Sequence, residues 1–241
     1  MASEHIVRSY DEELKRLNNR IAEMGGLAEA QLAAGVQALV KRDIKLAERV
    51  VATDRQLDQM ESDIDTHVVR LLALRQPMAI DLRAIVVSLK IASDLERIGD
   101  YAKNIAKRAI ALSQSAPAAP IRGVPRMSRM VESMIHDVLD AYVRRDVDRA
   151  VAVWNRDGEV DDAYTGMFRE LLTYMMEDPR NITACTHLLF IAKNIERIGD
   201  HTTNIAENIY FLVKGQSLDD PRPKGEDASK VIAPDAGDPN G

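Results

Sequence analysis

Apolar residues recur along this chain every three to four positions over long stretches, the spacing of helices with one buried face. Leu14, Leu17, Ile21 and Met24 set the period first and predict a helix from about Ile6 to Val40. Gly25-Gly26 is expected to bend it, since glycine costs about 1 kcal/mol relative to alanine inside a helix. Asp43 is placed to cap a second helix running to about Leu74, with Ala47, Val50, Leu57, Ile64 and Val68 on its apolar face. Pro77 marks a connection, and Asp81 opens a third helix reaching about Leu112. Three long helices joined by short turns predict an antiparallel bundle.

The pattern then begins again. Prolines and a glycine in residues 115–125 separate the chain into halves. Beyond them come a helix to Arg145, another from Val147 to about Met176 with Gly158 as a kink candidate, a break at Pro179, and a last helix to about Val213. The expected fold class is all-α, a tandem duplication of an antiparallel three-helix bundle with six long helices, over residues 5–114 and 125–214. Residues 215–241 hold four prolines, four glycines and few large apolar side chains, which predicts a disordered tail.

Identical residues support the duplication. Glu-Arg-Ile-Gly-Asp occupies 96–100 and again 196–200, and Asn104-Ile105-Ala106 returns as Asn204-Ile205-Ala206. Further back, Lys41-Arg42-Asp43-Ile44 matches Arg144-Arg145-Asp146-Val147, where the offset is 103 (Asp43 to Asp146) instead of 100 (Glu96 to Glu196). At the longer offset Asp54 falls on Asp157 and Asp58 on Asp161. The second copy is thus shorter between helices, where a deletion is best tolerated.

Composition narrows the function classes. Aromatic residues make up only 4%, so the core must come from Leu, Ile, Val, Ala and Met, which suits helix packing. A formal net charge of −6, with no basic patch, argues against nucleic acid as a partner. Cys185 is the single cysteine, so no intrachain disulfide can form, and a role as core filler is expected. The N-terminus lacks the apolar segment of a signal peptide, and the apolar runs at 84–92 and 188–192 are too short to span a bilayer. A cytoplasmic protein is expected.

The acids carry the candidate chemistry. A helix turns about 100° per residue, so positions four apart share a face. The stripe Leu82, Ile85, Leu89 and Ala92 continues onto Glu96 and Asp100, and Ile182, Cys185, Leu189 and Ala192 continue onto Glu196 and Asp200. A second stripe, Ile91, Leu95, Ile98, Ala102 and Ile105, packs the same helix along another flank. Asp54 and Asp58, and likewise Asp157 and Asp161, lie on or beside the apolar face of the preceding helix. Each half therefore offers two carboxylate pairs on neighbouring helices, and that much like charge requires compensation. Salt bridges from Arg97, Arg197, Lys103 or Arg55 are one solution. A hard cation such as iron, manganese, magnesium or calcium is the other.

Other chemistry is thin. No histidine spacing occurs in both halves, and His201, the one beside a motif, has Tyr101 as its counterpart. Gly-rich phosphate loops, nucleophile–base pairs and the Glu-x-x-His pairs of di-iron enzymes are not seen, so an enzyme is not expected.

Taken together, the two Glu-Arg-Ile-Gly-Asp copies, Gln76-Pro77-Met78-Ala79-Ile80-Asp81-Leu82-Arg83 and His201-Thr202-Thr203-Asn204-Ile205-Ala206-Glu207 resemble the PhoU family of bacterial phosphate-uptake regulators. The resemblance covers about residues 5 to 215. It implies two PhoU bundles acting as a negative regulator with the phosphate ABC transporter ATPase subunit and a phosphate-sensing histidine kinase, peripheral to the membrane through those partners, as a homodimer. It also implies a multinuclear metal cluster, iron first, with manganese, magnesium, zinc or calcium as alternatives. The ligands would be Asp54, Asp58, Glu96, Asp100, Asp157, Asp161, Glu196 and Asp200. Two rival readings are a histidine-phosphotransfer protein working through His136 and a di-iron carboxylate enzyme.

Overall fold

The computed structural model describes residues 2–75, 79–114, 122–218 and 221–225, and every regular element among them is helical. The first bundle is α1 (Ala2–Lys41), α2 (Ile44–Arg75) and α3 (Ala79–Ser113). The second is α4 (Gly123–Arg144), α5 (Val147–Trp154), α6 (Asp157–Glu177) and α7 (Ile182–Lys214), with a 3-10 turn at Pro179–Asn181 ahead of α7. The expected connection at 76–78 and most of that at 115–125 lie outside the described residues.

The duplication holds at the level of single hydrogen bonds. Arg42 takes the left-handed conformation (φ 54°), Asp43 N–H donates to Ala38 O at 2.9 Å, and the Asp43 carboxylate accepts from Leu46 N–H at 2.9 Å. In the second half Arg145 has φ 57°, Asp146 N–H donates to Ala141 O at 3.0 Å, and Asp146 accepts from Arg149 N–H at 3.0 Å. One helix is thus closed and the next capped within three residues.

One expectation needs correcting. The helix expected from Val147 to about Met176 is two helices, α5 and α6, separated at Asn155 and Arg156. Asn155, Asp157 and Gly158 are poor helix formers, and Arg156 turns away to reach the Asp137 carboxylate (3.3 Å) and Met130 O (3.4 Å) on α4. The break therefore precedes Gly158. Gly25-Gly26 leaves α1 continuous. Gly25 is a point of close approach to α4, since a Cβ there would lie 2.3 Å from Leu139 Cδ2.

Burial follows the second apolar stripe, whereas the stripe leading onto the acids is buried only in part: Ile85, Ala92, Cys185 and Ala192 are buried, but Leu82 and Ile182, each in the first turn of its helix, are exposed. Ile91, Leu95, Ile98, Ala102 and Ile105 are all fully buried, and Cys185 sits in the core as expected. Buried apolar residues of both halves form one continuous cluster, because α3 packs on α7 and α1 on α4. Polar contacts seal that junction. His201 Nδ1 lies 2.8 Å from Asp94 Oδ1, Tyr142 donates to Asn18 at 2.8 Å, and the Arg108 guanidinium covers the Phe190 ring at 4.1 Å. No helix among the described residues is long and apolar enough to cross a membrane.

Candidate metal centre

Glycine brings the acids together. In the Glu-Arg-Ile-Gly-Asp motif of α3, a Cβ on Gly99 would lie 2.2 Å from Leu57 Cδ1 of α2, and one on Gly199 of α7 would lie 3.3 Å from Val160 Cγ1 of α6. A methyl at 99 would require Leu57 to shift, whereas one at 199 would require Val160 to give by only a few tenths of an ångström. Asp54 stands one turn before Leu57, and Asp157 one turn before Val160, so each faces the motif helix and is buried.

In the first half, Lys103 of α3 binds the cluster together. Its ammonium donates to Asp54 Oδ2 at 2.6 Å and to Asp100 Oδ1 at 2.5 Å. Burial pushes the lysine pKa down, but the hydrogen bonds to Asp100 and Asp54 and their charges outweigh it and hold the group above the ordinary lysine range. Glu96 lies one turn away, with the half-exposed Arg97 at 3.6 Å. Burial first, then repulsion from Asp100, Glu61 and Asp58, raises the Glu96 pKa to about 7 against the relief from Arg97. Asp58 is exposed at the rim.

The second half repeats the frame with a different cation. The counterpart of Lys103 is Thr203, whose hydroxyl donates to Asp157 Oδ1 at 3.0 Å. The positive charge comes from beyond α7. Lys224 donates to Asp157 Oδ2 at 3.1 Å and Asp200 Oδ1 at 3.2 Å, with Asp161 Oδ2 at 3.8 Å. Arg222 donates to Glu207 at 2.9 Å and to Asn204 at 2.5 Å, and it lies 3.5 Å from Asp200. Gly225 N–H donates to Asp161 Oδ2 at 3.2 Å. Burial raises the Asp161 pKa, with Lys224 and that N–H offsetting part of it. Glu196 is 8% exposed; one oxygen accepts from Lys193 at 2.7 Å, and the buried Oε2 has no partner among the described residues.

The eight acids expected as ligands therefore divide. Asp54 and Asp100 meet at one ammonium, and Asp157, Asp161 and Asp200 at another, while Glu96, Glu196 and the rim residue Asp58 stand outside those contacts. Among the described residues no three His, Cys, Asp or Glu side chains are grouped to hold an ion. The donor chemistry nonetheless fits a hard cation: all the groups are carboxylates, Glu96 resists ionisation in its like-charged surroundings, and Glu196 Oε2 is buried without a partner. Of the salt bridges weighed from the sequence, Lys103 and Arg97 form, whereas Arg197 lies over the Tyr101 ring at 5.7 Å. Glu61, Arg222, Lys224 and Gly225 escaped the sequence reading. The mismatch of Lys103 with Thr203 was the available sign that the second half draws its cation from elsewhere. His136 is exposed on α4.

These features define an all-α class, two tandem three-helix bundles each presenting a carboxylate cluster where its second and third long rods meet. The PhoU domain matches residues 21–109 and again 124–209, and the chain belongs to the PhoU family. A phosphate-specific transport system accessory protein PhoU homolog of Caulobacter vibrioides (strain NA1000 / CB15N) is 54% identical over 223 residues, 92% of this chain and 97% of the relative. The corresponding accessory protein of Escherichia coli (strain K12) is 39% identical over 231 residues, 96% of this chain and 95% of its own length. The crystal structure of PhoU from Pseudomonas aeruginosa matches with a TM-score of 0.84 at 42% identity, covering 86% of this chain and 100% of the other.

Proposed function

We propose that this protein is a negative regulator of phosphate uptake and of the phosphate-starvation response. It works in the cytoplasm as a homodimer, through contacts with the ATPase subunit of a phosphate ABC transporter and with a phosphate-sensing histidine kinase, and not through catalysis. The observation that carries this reading is the match of both halves to one domain whose relatives, aligned over more than nine-tenths of this chain, are phosphate-specific transport accessory proteins. Deleting the gene should derepress phosphate-starvation genes while phosphate is plentiful, and the protein should capture transporter and kinase subunits in a pull-down that responds to phosphate. Normal repression in a clean deletion strain, with no second copy of the gene, would count decisively against it.

The acids belong to the same proposal. Asp54, Asp58, Glu96 and Asp100 in the first half, and Asp157, Asp161, Glu196 and Asp200 in the second, hold hard cations, iron first among them. A bound cation would supply positive charge that lets neighbouring carboxylates ionise together. The unpartnered Glu196 Oε2 and the raised pKa of Glu96 support this. Elemental analysis of anaerobically purified protein, with and without E96Q/D100N, tests it. Equal metal contents in the two proteins would refute binding at the first cluster.

A further inference from the structure

The two clusters are built alike except for the origin of their cation. In the first half Lys103, fixed in α3, bonds the pair Asp54 and Asp100. In the second half position 203 is threonine, and the ammonium on the equivalent pair, Asp157 and Asp200, belongs to Lys224. One cation is carried by a helix that passes the cluster. The other sits on a strap.

We propose that residues 221–225 form a detachable strap that closes the second carboxylate cluster, so that a divalent cation must displace Lys224 and Arg222 to bind there. This rests on the reading that the clusters take cations. Four observations carry the strap itself. Gly215, in the left-handed conformation at φ 78°, ends α7. From Lys214 back to Asp200 along the helix is about 21 Å at 1.5 Å per residue, less than the roughly 33 Å that ten residues can span, so the chain length between Gly215 and Lys224 suffices for the return. Pro221 and Pro223 flank Arg222 and preset its neighbours' φ, which lowers the entropy lost on docking. Gly225 meets α6 backbone to backbone: a Cβ there would lie 2.5 Å from Gly158 O and 2.5 Å from Asp162 Oδ1.

The contact is specific as well as electrostatic. Arg222 and Lys224 together reach Asp157, Asp161, Asp200 and Glu207, and the Gly225 N–H adds a bond to Asp161. Glu207 Oε1, which accepts from Arg222, also accepts from Trp154 Nε1–H at 3.1 Å. Trp154 is the only tryptophan in the chain, so its emission reports whether the strap is docked.

A tethered competitor lowers apparent affinity by the fraction of time the site is free. In full-length, metal-stripped protein carrying E96Q/D100N to silence the first cluster, R222Q/K224Q should bind Mn(II) about tenfold more tightly than the parent. Gly225→Leu keeps both charges but blocks the backbone approach, and should give the same gain. Without metal, both variants should shift Trp154 emission, and Mn(II) should move the parent's emission toward theirs. Affinities within twofold of the parent, or unchanged Trp154 emission in both variants, overturn the strap. If Mn(II) binds none of these proteins while both variants shift Trp154 emission, the cation reading fails at the second cluster and the gating role falls with it, but docking of the strap stands.

Discussion

Replacing Lys103 by Met should destabilise the metal-free protein far more than a surface lysine would. The ammonium lies between two carboxylates, with side-chain exposures of 20% for Lys103, 7% for Asp54 and 28% for Asp100. At an effective dielectric of about 20, a unit pair at about 4 Å is worth about 4 kcal/mol before desolvation, and both contacts here are closer than that. Methionine fills similar volume but leaves Asp54 buried beside Asp100 with nothing opposite. Removing one partner of a buried pair costs about 3–5 kcal/mol, and partial exposure here lowers the expected loss to about 2–3 kcal/mol. That corresponds to a fall in Tm of about 5–10 °C for a chain of this size. The measurement is urea and thermal unfolding of stripped wild type, K103M, D54N and the K103M/D54N pair. Removing the stranded charge in the double variant should recover most of the loss, and Mn(II) should restore part of it in K103M. A loss below about 0.5 kcal/mol, the usual range of a surface substitution, would refute the reasoning. So would a double variant whose losses simply add.

Two further outcomes follow from the same geometry. Gly99→Ala forces a methyl toward buried Leu57, at 2.2 Å against 3.3 Å for Gly199→Ala and Val160, so unfolding free energy should fall by about 1–3 kcal/mol for Gly99→Ala and by less for Gly199→Ala. Equal losses would show that the halves do not differ in helix approach. The Glu96 carboxyl is raised from its ordinary 4.5 to about 7, so the folded state binds this proton more tightly than the unfolded chain. Its stabilising contribution is therefore complete below about pH 4.5 and is lost as pH rises through about 7, and Glu96→Gln should flatten the decline in stripped protein between pH 5 and pH 8. An unchanged slope in that variant would assign the pH dependence to other groups.

Much of this protein is legible in its residue order. The stripe Ile91, Leu95, Ile98, Ala102 and Ile105 follows the helical period, and its burial is a consequence of that period alone. The repeated Asp43 and Asp146 caps are equally local, since each closes a hydrogen bond three residues away. Glu96, Asp100 and their counterparts could be placed near the core because they extend an apolar stripe. The order of residues also set out the duplication, which positions the two clusters in equivalent places.

What the order of residues left open depended on contacts between distant segments. Asp54 and Asp58 are about 40° apart on α2, too close for periodicity to separate. With Leu57 packed on Gly99, Asp54 is buried and Asp58 remains at the rim. Helix propensity at Gly25 is local and says nothing of the α4 side chain Leu139, which occupies the space a Cβ would need. Residues 221–225 belong to a tail whose composition predicts disorder, since it has too little apolar surface to order itself. Its Arg222 and Lys224 find acids more than fifty residues back at Asp157 and Asp161, a pairing no local pattern encodes. Thus apolar periodicity decides which faces are buried, whereas the cation each buried carboxylate meets is decided by tertiary packing, because Coulomb attraction acts through space and not along the chain.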